Sequence, residues 1–180
     1  QVGRHTGMAA YRRYHERGLT IAFGHAPETV AVMREPLRRL QSWYRYRLRP
    51  QVQAAAVSTR NVSFEAFIGA YLADDPPPFA RVGRQDRFLG FDGTDLLMNH
   101  VFDYARPELL VGFLSKRLGQ EVVLPQRNVS PDPDATDYTL SDAMLARLLE
   151  ANEPEFTLYR QLRRKGSLQR VPETLSSSER

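Results

Sequence analysis

The sequence predicts an α/β fold built on a mainly parallel sheet, and two observations carry that expectation. Compact apolar runs alternate with segments whose apolar residues recur at helical spacing, the pattern of strands crossed over by helices. Apolar runs also pass directly into helix starts marked by proline, at Pro36 and Pro107, where proline's fixed φ suits the first helical turn.

In chain order, residues 8–17 read as a short polar helix ended by Gly18. Residues 19–23 are a compact apolar run, read as a strand, closing on Gly24-His25-Ala26-Pro27. A second strand at residues 29–33 follows almost at once, which makes the join between the two cramped for a pair of buried strands. A helix then starts at Pro36, its apolar stripe made by Leu37, Leu40, Tyr44 and Leu48, and Pro50 ends it. Glu35 stands where a negative charge favours a helix N-terminus.

Ser63 opens another helix as N-cap, with Phe64, Phe67, Ile68 and Tyr71 apolar. Residues 74–79, with three successive prolines, are a loop. Residues 85–90 are short and mixed. A strand end near Phe102 leads to a helix from Pro107 to Leu118, with Leu109, Leu110, Phe113, Leu114 and Leu118 expected to face inward and Gly119 as C-cap. Residues 124–137 form a loop of turn residues. Ser141 caps a final helix expected to run to Leu162. From Arg163 the chain turns polar and serine-rich. The expected organisation is one domain over residues 1–165 and a weakly ordered tail over 166–180.

The 180 residues suffice for one core. With 42% hydrophobic and 26% charged residues, composition is ordinary for a globular protein. No run is apolar enough to span a bilayer and no signal-peptide core is visible, so a cytoplasmic location is the expectation. Absence of cysteine excludes disulfides, thiolate metal sites and a cysteine nucleophile. Asn61-Val-Ser63 and Asn128-Val-Ser130 match the short glycosylation sequon.

The net charge is +4, and of 25 basic residues only Lys116 and Lys165 are lysines. Arginine presents a planar fork of donors that fits phosphate or sulfate. Composition alone fits both a coding preference for arginine and an anionic ligand. Arg34, placed where a strand enters a helix, falls at the carboxyl edge of a parallel sheet, where such sheets bind ligands. The helix N-terminus beside it favours an anion, and Ser42 two turns on offers a hydroxyl.

The stretch Val32-Met33-Arg34-Glu35-Pro36-Leu37-Arg38-Arg39-Leu40-Gln41-Ser42-Trp43-Tyr44 resembles the 3′-phosphate motif of sulfotransferases that use PAPS (3′-phosphoadenosine 5′-phosphosulfate). The flavour is that of the carbohydrate 2-O-sulfotransferase-like branch, bacterial members included, in which a Gly-His pair precedes the motif as Gly24-His25 does here. Weaker similarities follow in order at Val62-Ser63-Phe64-Glu65-Ala66-Phe67, Arg84-Gln85-Asp86-Arg87-Phe88-Leu89-Gly90, Leu124-Pro125-Gln126-Arg127-Asn128-Val129-Ser130 and Glu155-Phe156-Thr157-Leu158-Tyr159. Together they cover residues 19–165.

The resemblance implies a three-layer fold like that of P-loop NTPases and transfer of a sulfuryl group from PAPS to a hydroxyl, of a carbohydrate or another small acceptor. It gives Arg34 and Ser42 the 3′-phosphate, His25 the role of general base, and Arg127, Asn128 and Ser130 a place near the nucleotide. A neutral imidazole suits the base role near pH 7. No metal is implied, and PAPS serves as co-substrate.

The family's 5′-phosphosulfate loop, Pro-Lys-Thr-Gly/Ala-x-Thr-Ser, has no clear counterpart, since no lysine precedes Lys116. Residues 2–9 are the nearest substitute, but residues 4–11 align better with a helical stretch following that loop. The alignment therefore implies a chain that begins downstream of the loop, with further residues absent near the cramped join. No Gly-x-x-x-x-Gly-Lys-Ser/Thr is present, which argues against a nucleotide kinase or ATPase. The competing reading is a non-catalytic anion-binding module, either a degenerate sulfotransferase domain or an arginine-rich nucleic-acid binder using residues 38–49 and 160–165. Against nucleic acid, the aromatics among those arginines fall at core spacing, which predicts packing over base stacking.

Overall fold

The computed structural model describes residues 6–52, 56–125 and 136–170. The chain is mixed α/β, with helices around a three-stranded sheet of order β1-β2-β3. Strands β1 (Val30–Met33) and β2 (His100–Asp103) run parallel in register from Val30 beside His100 to Met33 beside Asp103. Strand β3 (Ser167–Gln169) pairs antiparallel with β2. The sheet is thus mixed, and its third strand comes from residues expected to be a loose tail. Leu168 packs on the core and its neighbours complete a ladder on β2, so three residues suffice.

Helix α1 is α-helical at Met8–Tyr11, widens to π over Arg12–Glu16 and returns to α at Arg17–Phe23. The strand expected at residues 19–23 is therefore helix, and Gly18 lies inside it. A short apolar run without clear periodicity does not distinguish helix from strand. Ile21 and Phe23 are 74% and 64% exposed, so the run is no buried strand. The helix stops at Gly24, whose φ of 75° is the left-handed cap that glycine adopts freely. The segment before β1 is then an ordinary helix-to-strand connection, and the cramped hairpin disappears.

Helix α2 (Pro36–Arg47) begins as expected, and helix α3 (Phe64–Tyr71) is capped by Ser63, whose Oγ accepts from Ala66 N at 3.2 Å. A 3₁₀ turn at Pro78–Ala80 interrupts the proline loop. The mixed stretch is helix α4 (Gln85–Leu89), followed later by α5 (Pro107–Leu118). The last expected helix is two: α6 (Asp142–Ala151), capped by Ser141, and α7 (Glu153–Lys165). Pro154 divides them, because it has no N–H for Glu150 O and its ring crowds that carbonyl.

Two apolar clusters form the core. One joins Met33 and Val101 of the sheet to Leu158, Tyr159 and Leu162 of α7 and to Met8, Leu89, Phe91 and Met98. The other packs Leu40 and Tyr44 of α2 on Phe64, Phe67, Ile68 and Tyr71 of α3 and Leu148 of α6. On the opposite sheet face, Phe113 of α5 packs on His100 and Phe102, ring centroids 4.6 and 5.2 Å away. The inward stripe expected on α5 is otherwise corrected: none of its residues is buried, and Leu118 is 60% exposed. Among the described residues α5 packs on this sheet face through Phe113, while its outer side stays exposed. No helix among the described residues is long and apolar enough to cross a membrane.

Candidate anion-binding site

Arg34 leaves β1 at the carboxyl edge of the parallel pair, as its position in the sequence predicts. The ladder continues one step, Tyr104 N–H donating to Met33 O at 2.9 Å, so Tyr104 stands beside Arg34. The guanidinium lies over the Tyr104 ring, 5.0 Å from its centroid, a cation–π contact. No carboxylate pairs with Arg34 among the described residues. Its backbone is held by Gln85, whose Oε1 accepts from Arg34 N at 3.0 Å and whose Nε2 donates to Arg34 O at 2.8 Å.

Gln85 is fixed in turn by Glu155, 1% exposed, which accepts from Gln85 N at 2.9 Å and Nε2 at 3.0 Å. Arg39 Nη1 lies 3.8 Å from the same carboxylate, and Arg39 Nη2 donates to Gly83 O. Next to this group Arg84 grips buried Asp86 by two bonds of 3.0 and 2.6 Å and donates to Ala151 O at 2.9 Å. Burial pulls the Arg84 guanidinium down, but its bonds to Asp86 outweigh that and leave it above the ordinary arginine range. Tyr71 donates to Asn152 Oδ1 at 3.3 Å. Burial, reinforced by the nearby Glu155 charge, pushes its phenol up to about 12. A second brace fixes the neighbouring turn: Asp103, 3% exposed, accepts from Ala105 N at 3.0 Å and from Tyr159 OH at 3.4 Å.

The expected free N–H groups at the start of α2 are a correction. Glu35 is the N-cap, and its own carboxylate accepts from Leu37 N at 3.1 Å and Arg38 N at 2.5 Å. The helix end is thereby already satisfied by an anion, and what remains for a ligand at this edge is the Arg34 side chain. Ser42 sits on α2, six residues past Pro36 and so about 9 Å further along the axis. It lines a concave surface of about 270 Å³ with Trp43 and Tyr46. Among the described residues no hydrogen bond joins Ser42 to Arg34.

His25 is exposed, and its described contact is Nδ1 with Ala26 O at 3.3 Å. It belongs to the segment that enters β1 at the amino edge, where Thr29 bonds Asn99 and Glu28 reaches His100 and Arg117. Four strand residues rise about 13 Å, and Arg34 lies at the other end. The structure therefore does not bring His25 to Arg34. Arg127, Asn128 and Ser130 lie outside the described residues. Among the described residues no group of His, Asp or Glu side chains is arranged to hold a metal ion.

The basic run on α2 divides by role. Arg47 is buried and donates to Pro78 O at 3.1 Å and to Phe79 O, closing the proline loop, while burial lowers its pKa. Arg45 donates to Tyr138 OH at 3.2 Å. Trp43 and Tyr46 are 39% and 47% exposed, a correction to the expectation that the aromatics here are packing residues; of the three only Tyr44 is buried. Trp43 and Tyr46 meet edge to face, with Arg47 over Trp43 and Arg49 over Tyr46.

Gln85, Glu155 and Arg39 form the support that the candidate residues alone do not reveal. Gln85 and Glu155 each belong to a short motif singled out in the sequence, but their meeting is long-range, 70 residues apart, and no local pattern encodes it. Compared with known proteins, the chain matches no family model, no curated protein and no solved structure.

Proposed function

We propose that this chain is a PAPS-dependent sulfotransferase domain in which Arg34 anchors the donor's 3′-phosphate, with Ser42 as the second contact. The observation that carries the reading is the Arg34 guanidinium itself. It is unpaired by any described carboxylate, held over Tyr104, and rooted in a backbone clamped by Gln85 at the carboxyl edge of a parallel strand pair. Arginine on a braced junction suits a phosphate dianion, since its fork forms two charged hydrogen bonds without reorganising. Three of the five stretches that resemble the family, residues 32–44, 84–90 and 155–159, meet at this junction through Arg34, Gln85 and Glu155. The finer fold assignment, a P-loop-like three-layer domain, belongs to the same proposal.

Sulfuryl transfer forms a bond from the acceptor oxygen to sulfur and breaks the bond from sulfur to the donor phosphate, while the acceptor's proton passes to a base. His25 is proposed for that base on its Gly-His context alone, and the acceptor is a carbohydrate or other small hydroxyl compound. The donor site and the base are separable claims, because they stand at opposite edges of β1.

Titration with PAP, the desulfonated product, tests the reading. Arg34→Ala is expected to weaken PAP at least tenfold, in line with roughly 1.5–3 kcal/mol for a charged hydrogen-bonded contact, with the fold intact by circular dichroism. A wild-type chain with no saturable PAP binding overturns the proposal. Full turnover by His25→Ala overturns only the base assignment.

The exposed Trp43–Tyr46 pair favours a second reading, a non-catalytic binder of single-stranded nucleic acid through base stacking. Arg39, Arg45 and Arg47 hold parts of the fold together, which leaves that surface fewer cations than the sequence suggests. Oligonucleotide binding that weakens on Trp43→Ala and falls steeply with salt would select it.

A further inference from the structure

A second basic feature lies apart from Arg34. A groove of about 720 Å³ runs between the start of α5 and the last turns of α7, lined by Arg106, Thr157, Arg160, Gln161, Arg163 and Arg164. Its size falls in the range of small-molecule sites. Thr157, Arg160, Gln161 and Arg164 recur at helical spacing as one polar stripe of α7, while Leu158 and Leu162 face the core. Arg160 and Arg164 are one turn apart, which sets their stems about 5–6 Å from each other.

The groove has a fixed wall. Arg106 crosses from α5 and donates through Nη2 to Arg163 O at 2.9 Å. Gly166, at φ 80°, makes room for it: a Cβ there would stand 2.9 Å from Arg106 Nη1 and 2.7 Å from Leu109 Cδ1. No side chain caps the first turn of α5, unlike α2, where Glu35 fills that place. Of the lining arginines, Arg160 has a carboxylate partner, Glu153 at 3.6 Å, and both side chains are more than 60% exposed, so the pair is weak. Arg163 and Arg164 have no ion pair among the described residues.

We propose that this groove is a binding site for a ligand carrying a diphosphate or two neighbouring phosphate groups, separate from the site at Arg34. Arg160 and Arg164 take one face of the phosphate pair, and Arg106, tethered across α7, takes the other. Phosphate is favoured because its charge approaches two per group near neutral pH, matching several guanidiniums converging from two helices. The proposal stands whether or not the chain is a sulfotransferase.

Calorimetric titration of the whole chain with inorganic pyrophosphate tests it, against orthophosphate at matched ionic strength. Saturable pyrophosphate binding at least tenfold tighter than orthophosphate is expected. The double variant Arg160→Ala, Arg164→Ala, at exposed positions, should lose at least tenfold in pyrophosphate affinity while PAP affinity stays within twofold. Arg34→Ala should leave pyrophosphate affinity within twofold. Pyrophosphate binding that is absent, unchanged in the double variant, or lost in Arg34→Ala overturns the proposal. Where the wild-type chain binds PAP, loss of that binding in the double variant overturns the proposal too, because the two sites would then be one.

Discussion

Gln85 holds Arg34 by both ends of one amide: its oxygen accepts the Arg34 N–H and its nitrogen donates to the Arg34 carbonyl, as a paired strand residue would. The polypeptide at Arg34 has just left β1, so it would otherwise present two unpaired backbone groups to a half-buried junction. Gln85 extends the ladder by one side chain and passes the constraint to Glu155. A cation held this way binds without first paying to order its own backbone.

Gln85→Ala removes both bonds and leaves Glu155 with one donor fewer. The expected cost is roughly 2–4 kcal/mol, from two part-buried groups left without partners, read as a lower urea midpoint with an unchanged slope. On the proposed function, PAP affinity should fall as well, although Gln85 need not touch the nucleotide. A variant as stable as wild type would show that the clamp contributes nothing.

Glu35 offers a sharper test of electrostatics at the same junction. Its carboxylate caps α2 and places a negative charge next to Arg34 in sequence. Glu35→Gln keeps one acceptor for the α2 amides and deletes the charge. Stability should drop by about 0.5–1 kcal/mol through the weaker cap and helix-dipole interaction. PAP affinity should rise two- to fivefold at low salt and less at high salt. A decrease in affinity would mean that the capping carboxylate positions Arg34 and its cap matters more than its charge.

The elements that sequence made legible are those with local chemistry. Pro36, Glu35, Ser63 and Ser141 each mark a helix start through a fixed φ or a side-chain acceptor, and each does so in the structure. Residues 19–23 are not legible, because five residues fit either period; in the structure they continue the helix that begins at Met8 and that Gly24 ends. Strand β3 depends on β2, about 67 residues earlier in the chain, so nothing in its own Ser-Leu-Gln announces a strand. At the candidate site, Arg34 was legible from strand-to-helix patterning. The filled helix end was not, since Glu35 favours an N-terminus whether it caps it or only flanks it.

Gly166 joins fold and groove in a single position. Its φ of 80° disfavours any side chain, and a Cβ would press on Leu109 and Arg106. Gly166→Ala is expected to cost roughly 1–3 kcal/mol, the range for left-handed strain at a non-glycine residue. It should also weaken pyrophosphate in the proposed groove, by displacing Arg106 from α7. Thermal unfolding and the calorimetric titration read the two effects separately. Unchanged stability would mean that Lys165–Ser167 turns equally well without glycine.

Tyr71 links the buried polar network to alkaline stability. The folded phenol is held up to about 12, by burial first and the Glu155 charge second, against about 10 in the unfolded chain. A raised acid is neutral in the fold and ionises first when unfolded. Its stabilising contribution is therefore complete below pH ~10 and disappears as pH climbs to about 12. The amplitude is roughly 2–3 kcal/mol for two pH units. Tyr71→Phe loses the bond to Asn152, so it should start about 1 kcal/mol less stable at pH 8. It should then decline less steeply between pH 10 and 12, because the Tyr71 proton no longer contributes, while Tyr11, Tyr44 and Tyr159, also raised by burial, supply the slope that remains. Urea unfolding at half-unit steps from pH 8 to 11.5 measures the difference directly. Parallel curves for the two proteins would show that Tyr71 ionises as freely in the fold as outside it.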